Sequence, residues 1–203
     1  MSGDVHVRFC ERLGGRFPGA TRLVCAFARR EDAERFFAAL PNRLEKFSLQ
    51  VAPEKTHVLR FSRSRPSMRK RIAFLGFELY WHRTLRGRVQ LMRRTARNRL
   101  HRGIRHITEW IKSHRHLPGR EFIQGLNRRL IGHYNYYGLR GNVGALWGFQ
   151  AAAVVAAFKW LNRRGGKRKS FTWDAFNRAL KRLGIARPRI TTPRSAQRDM
   201  VFA

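Results

Sequence analysis

Carboxylates are scarce in this chain. Its 203 residues hold 12 Asp and Glu against 44 Lys and Arg, which gives a formal net charge of +32. No acidic residue lies between Glu121 and Asp174. Two-metal phosphoryl transfer needs paired carboxylates to hold its ions, and there is no Asp-Asp pair. Glu31-Asp32 is adjacent but reads as a helix start, where acid suits the positive end of the dipole. Cysteine is nearly absent as well. Cys10 and Cys25 fit no zinc spacing, and a reducing, cytoplasmic setting suits them best. There is no Gly-rich phosphate loop and no recognisable Ser/His/Asp signature, so no catalytic residue is assigned. The longest apolar stretch, around Ala151–Phe158, is too short to span a bilayer. Met1 to Arg30 has no apolar core before a small-residue cleavage site. No membrane partner is expected.

What the chain has instead is positive charge, unevenly spread. Residues 1–65 carry a net +6 and residues 66–203 a net +26. Ordinary domains carry only a few units. Self-repulsion on this scale disfavours a compact molecule with nothing bound, and a polyanion relieves it. Nucleic acid is the usual polyanion, and the C-terminal two-thirds is the expected binding part.

Hydrophobic spacing divides the chain into strands first and helices later. Leu23–Phe27 reads as a short buried strand. A helix begins at Arg30, with Phe36, Phe37, Leu40, Leu44 and Phe47 at helical intervals, and Pro41 is expected to kink or divide it. Leu49–Val51 and Val58–Phe61 read as two strands joined by the Pro53–Thr56 turn, a small antiparallel sheet packed on that helix. Ile72–Trp81 reads as one strongly apolar strand, and Val89–Met92 as its partner across a turn with Gly87. Beyond this the periods are helical. Ala96, Leu100, Ile104, Ile107 and Ile111 share one face, with Arg97 and Arg105 on others. Pro118 opens a second helix, with Ile123, Leu126, Leu130, Tyr134 and Tyr137 on its apolar face. Leu146–Leu161 is apolar almost all round and is expected to be the most buried helix. Trp173–Leu183 is a last short helix ended by Gly184, and an extended basic tail follows from about residue 186.

The candidate RNA contacts follow from these faces. Arg120, Gln124, Asn127 and Arg128 sit off the apolar stripe of the second helix. Amides and guanidinium groups there can bond phosphates, 2′-hydroxyls and base edges. Tyr134 and Tyr137 belong to the stripe and read as core, whereas Tyr136 points elsewhere and is the better candidate to stack on a base. Arg163, Arg164, Lys167, Arg168 and Lys169 form a glycine-containing cationic loop suited to a phosphate backbone. Arg97 and Arg105 extend the basic surface. The eight histidines have no carboxylate partners at useful spacing and read as surface residues rather than metal ligands.

Three further landmarks bear on family. They are Pro53-Glu54-Lys55-Thr56, Phe74-Leu75-Gly76-Phe77, and the run Leu126-Asn127 to Asn135-Tyr136-Tyr137. In this order, with Arg30-Glu31-Asp32-Ala33-Glu34 before them and Ser170-Phe171-Thr172-Trp173 after, the stretch from about Arg30 to Thr192 resembles the C-terminal part of a bacterial group II intron reverse transcriptase/maturase. The resemblance implies an α+β fold. Residues 1–91 would be the end of a polymerase palm, 92–116 a thumb-like helix, 117–185 a maturase-specific domain, and 186–203 a basic tail.

The same resemblance implies what is missing. The family's Tyr-Ala-Asp-Asp box would align with Gly19-Ala20-Thr21-Arg22, or with Phe9-Cys10-Glu11-Arg12. Neither keeps the acid pair, and the first half of the polymerase has no counterpart. Ile131-Gly132-His133 stands where relatives have Arg-Gly-Trp, and the zinc-bearing endonuclease domain of some relatives has no match. The expectation is a module that binds group II intron RNA, or other structured RNA, and assists splicing. No cofactor is implied, and Mg2+ would arrive only with the RNA. The alternatives are a nonfunctional relic of a decayed retroelement, or a polymerase fragment that needs a partner reverse transcriptase chain for RNA-directed DNA synthesis; as protein partners, that chain or a second copy in a homodimer is expected.

Overall fold

The computed structural model describes residues 6–10, 13–14, 23–51, 56–62, 65–163 and 170–191. The chain divides into two units, residues 1–92 and 93–203. Among the described residues, the first combines antiparallel strands with one helix, and the second is built from four helices.

In the first unit, β1 (His6–Cys10) is the centre of a three-stranded antiparallel sheet. It pairs with β3 (Leu23–Phe27), His6 opposite Phe27 and Cys10 opposite Leu23. On its other edge it pairs with β5 (Thr56–Arg60). The strand β2 (Leu13–Gly14) pairs with β4 (Gln50–Val51). The expected pairing of the strands at 49–51 and 58–61 is therefore corrected: each finds a partner from the first fourteen residues. Local sequence marks strands but not partners chosen from far along the chain.

Helix α1 (Arg30–Glu45) carries Glu31 and Asp32 in its first turn and Arg43 in its last, matched to its dipole. Pro41 lies inside it and does not divide it. The ring deprives one carbonyl of its usual donor, yet the helix continues for a further turn. Ala33 and Leu40 are buried, while Phe37 and Phe47 are exposed.

The apolar run at 72–81 is two strands, not one. β6 (Arg71–Phe74) and β7 (Phe77–Arg83) form a tight hairpin with Phe74 opposite Phe77. Its two turn residues, Leu75 and Gly76, have φ of 47° and 81°. Two successive left-handed residues make the turn whose twist suits a hairpin. Leucine hid the turn because it seldom adopts that conformation, which costs about 1 kcal/mol. Leu75 is 49% exposed, so little burial offsets the strain. Leu75→Asn should therefore stabilise the unit by about 0.5–1 kcal/mol. A urea melt of the variant with an unchanged or lower midpoint would refute this. β8 (Val89–Thr95) completes the order β6-β7-β8. Phe61 and Ile72 form the centre of this core, with Trp81 stacked on Phe61 at 4.8 Å.

The second unit holds α2 (Arg97–His114), α3 (Gly119–Tyr137), α4 (Val143–Leu161) and α5 (Trp173–Leu183). Ile107 and Ile111 of α2, Phe122, Leu126, Leu130 and Tyr134 of α3, and Leu146, Phe149, Ala153 and Ala157 of α4 meet in one core with Phe176 and Leu180 of α5. Gly125 lets α3 approach α2: a Cβ there would lie 2.7 Å from the Trp110 ring. Helix α5 starts at Thr172, whose hydroxyl accepts from the Ala175 N–H. It stops at Gly184 in a left-handed cap.

Two expectations for this unit are revised. Helix α4 is not buried all round: Val143, Trp147 and Val155 are 42%, 49% and 56% exposed. Its alanines are compatible with either face, so composition did not reveal which side packs. By length and composition α4 is long and apolar enough to cross a membrane, and its inner face lies in the core of this unit. The segment after α5 is extended but not a free tail as far as residue 191. Ile185, Ala186 and Ile190 pack on the core. The Ala186 N–H donates to Asn127 Oδ1 at 2.7 Å, and its carbonyl accepts from Gln150 Nε2 at 2.9 Å. The Thr191 N–H donates to the Gly138 carbonyl at 2.8 Å. Gly138 is small by necessity, since a Cβ would meet the Tyr134 and Arg189 carbonyls.

Candidate nucleic-acid interface

The second unit carries 25 Lys and Arg against four Asp and Glu. Helical geometry decides where that charge can act. Residues four apart lie above one another on a helix face. Arg120, Gln124, Arg128, Gly132 and Tyr136 follow that interval along α3, a row that winds gradually around the solvent side of the helix, and all five are exposed. Tyr136 is 56% exposed and meets Tyr137 edge-on at 4.7 Å. The ridge thus offers two guanidinium groups, an amide and an exposed aromatic ring, with no side chain at Gly132 between them. Tyr134 is fully buried, its hydroxyl donating to the Ala186 carbonyl at 3.4 Å. Burial raises its pKa, and that of Tyr137.

Asn127 is placed differently from its neighbours on the ridge. Its Nδ2 donates to the Gly184 carbonyl at 2.8 Å and its Oδ1 accepts from Ala186. Both ends of the amide are engaged in holding the strap after α5, so Asn127 organises the fold beneath the ridge. Arg97 and Arg105 are exposed on α2. Of the basic loop, only Arg163 is among the described residues; Arg164, Lys167, Arg168 and Lys169 lie outside them.

The structure also brings together residues that sequence reading left apart. Trp160, near the end of α4, has Lys112, Arg163, Arg115 and Lys159 over its ring at 5.2, 5.5, 5.6 and 5.8 Å from the centroid. None has an ion-pair partner among the described residues. At about 8 Å in water each pair of charges repels by ~0.5 kcal/mol, or ~3 kcal/mol for four charges together before screening. Each exposed cation–π contact returns about 0.5–1 kcal/mol. The indole therefore roughly offsets the repulsion but leaves the charge in place. Two helix C-termini nearby subtract about half a unit each, so about three positive charges remain. The only sequence signal was the pair of basic helix ends, 47 residues apart.

A second aromatic column stands between α2 and α3. The Arg129 guanidinium lies 4.1 Å from the Trp110 ring centre, and His114 stacks on Trp110 at 4.6 Å. Arg129 Nη1 also donates to the Gly125 carbonyl, and partial burial lowers the Arg129 pKa, assisted by Arg128. These groups bond to one another and seal the helix junction.

His133 corrects the reading of all histidines as surface groups. Its ring stacks on Phe149 at 3.7 Å and lies 4.6 Å from Tyr137, and its Nε2 is buried. Desolvation holds its pKa down at about 4. Among the described residues there is no group of three His, Cys, Asp or Glu placed to hold a metal. No protein-family model matches the chain, and no curated protein matches it.

Proposed function

We propose that the chain is an RNA-binding, maturase-type module that holds structured intron RNA in its active fold, with catalysis left to the RNA. In this reading the first unit corresponds to the end of a polymerase palm, α2 to a thumb helix, and α3 to α5 to the maturase-specific domain. The observation that carries it is the exposed α3 ridge of Arg120, Gln124, Arg128 and Tyr136 on a unit with only four carboxylates. Cations fix the backbone, and the amide and the ring read what the backbone presents. The motifs that resemble group II intron maturases narrow the RNA class.

The test is binding of the full chain to a domain of group II intron RNA and to a length-matched unrelated RNA across a salt series. A preference for the intron RNA should survive at physiological salt. Arg120→Ala/Arg128→Ala/Tyr136→Ala should weaken it at least tenfold, since base stacking alone is worth about 1–3 kcal/mol. The salt slope should fall by about 0.7 for each phosphate contact removed. Equal binding of both RNAs, lost together as salt rises, would leave only generic polyanion attraction.

A further inference from the structure

We infer that the Trp160 cluster is a second, separate RNA site, one that grips the backbone of a single-stranded segment. This rests on the RNA-binding reading and adds a location, a strand type and a size to it. Lys112 and Arg115 come from the last turn and cap of α2, and Lys159, Trp160 and Arg163 from the end of α4. Ile107 and Ile111 of α2 and Ala153 and Ala157 of α4 share the core, so both helix ends are fixed from beneath. Four cations are thus held around one ring, with Lys112, Lys159 and Arg163 exposed.

The dimensions choose the ligand. Each cation lies within 5.8 Å of the same point, so no two are further apart than twice that distance. Successive phosphates of a stacked strand rise about 3.4 Å along its axis and lie further apart when the strand is extended, so the cluster spans no more than about three consecutive phosphates. A metabolite phosphate would use one or two of the cations and leave the others unneutralised. The indole adds what a single strand offers and a duplex withholds, an unpaired base face on which to stack. In the unbound protein the cations rest on the indole. On binding they move to phosphate oxygens and leave the ring to a base.

The experiment measures binding of the full chain to a labelled sixteen-nucleotide oligouridylate and to an eight-base-pair G·C-rich duplex of equal nucleotide number, at several salt concentrations. Lys112→Ala/Lys159→Ala is compared with Arg178→Ala/Arg182→Ala, which removes the same charge from exposed positions of α5. Trp160→Leu tests the ring, with far-UV circular dichroism and melting temperature confirming that each variant is folded. The cluster pair should lose at least tenfold for the single strand at physiological salt, with the salt slope reduced by about 1.4 for two contacts. The α5 pair should lose no more than about twofold, and Trp160→Leu should lose affinity without the change in slope. If the cluster pair and the α5 pair lose the same modest amount while intron RNA is still preferred, the site is refuted and the maturase reading stands. If the wild-type chain prefers no RNA at physiological salt, both fail.

Discussion

Asn142→Leu is expected to destabilise the helical unit by about 4 kcal/mol, the largest effect of any single side chain away from the apolar core. Asn142 is 1% exposed and sits in the corner between α3 and α4. Its Oδ1 accepts from the Thr95 N–H at 2.7 Å. Its Nδ2 donates to Thr95 Oγ1 and to the Tyr137 carbonyl, both at 2.8 Å. Leucine has a similar volume, so it admits no water and leaves the Thr95 N–H and hydroxyl without their buried partner, while the Tyr137 carbonyl keeps the Leu139 N–H at 2.7 Å. Each orphan costs about 1–3 kcal/mol. Asn142→Ala should cost less, because the smaller side chain leaves room for water to bond them. Urea unfolding of the full chain, followed by far-UV circular dichroism, decides the matter. A leucine variant within 1 kcal/mol of wild type would mean that the corner relaxes and the bonds count for little.

Acid should weaken the helical unit through His133 before most carboxylates titrate. In the unfolded chain this imidazole takes its proton near pH 6.5, and in the folded one only near pH 4. Between those values the unfolded state binds more protons, so stability rises with pH. The full contribution is present above about pH 6.5 and is lost progressively as the pH falls toward 4. The whole shift corresponds to ~3.4 kcal/mol, and partial exposure of the ring to solvent trims this to about 2 kcal/mol. His133→Phe keeps an aromatic face against Phe149 and removes the titration. Denaturation midpoints at pH 7.5 and pH 4.5 should therefore differ less in the variant than in the wild type. An equal drop in both would assign the acid sensitivity to other groups.

The helices of the second unit were legible because their boundaries are chemical as well as periodic. Thr172 caps α5 and Gly184 ends it, so both limits could be named from residue types alone. The split of Tyr134 from Tyr136 followed from the helical angle between them, and burial agrees with it. What was not legible depends on distant partners. The strands at 50–51 and 56–60 pair with segments more than thirty residues upstream. The hairpin at Leu75-Gly76 was hidden by an apolar residue in a turn conformation. Asn127 reads as a surface amide until the strap at 184–186 is seen to bond both its ends. The Trp160 cluster left only its two basic helix ends as a mark in the sequence, and nothing local says that ends so far apart meet. His133 was missed because its setting is made by Phe149, from another helix.

The strap after α5 also sets an order of events during synthesis. Asn127 and Ala186 are 59 residues apart and bond directly. At about 5–20 residues per second, roughly 3–12 s separate the appearance of one from the other on the ribosome. Until residues 185–190 arrive, the surface of α3, and of α4 once it is made, that receives Ile185, Ala186 and Ile190 faces water, and the Asn127 amide has only solvent to bond. The residues of the α3 ridge have all been made by then, since the last of them, Tyr136, precedes Ala186 by 50 residues. A nascent chain therefore presents its charged face to the polyanions around it before the apolar seam beneath has closed.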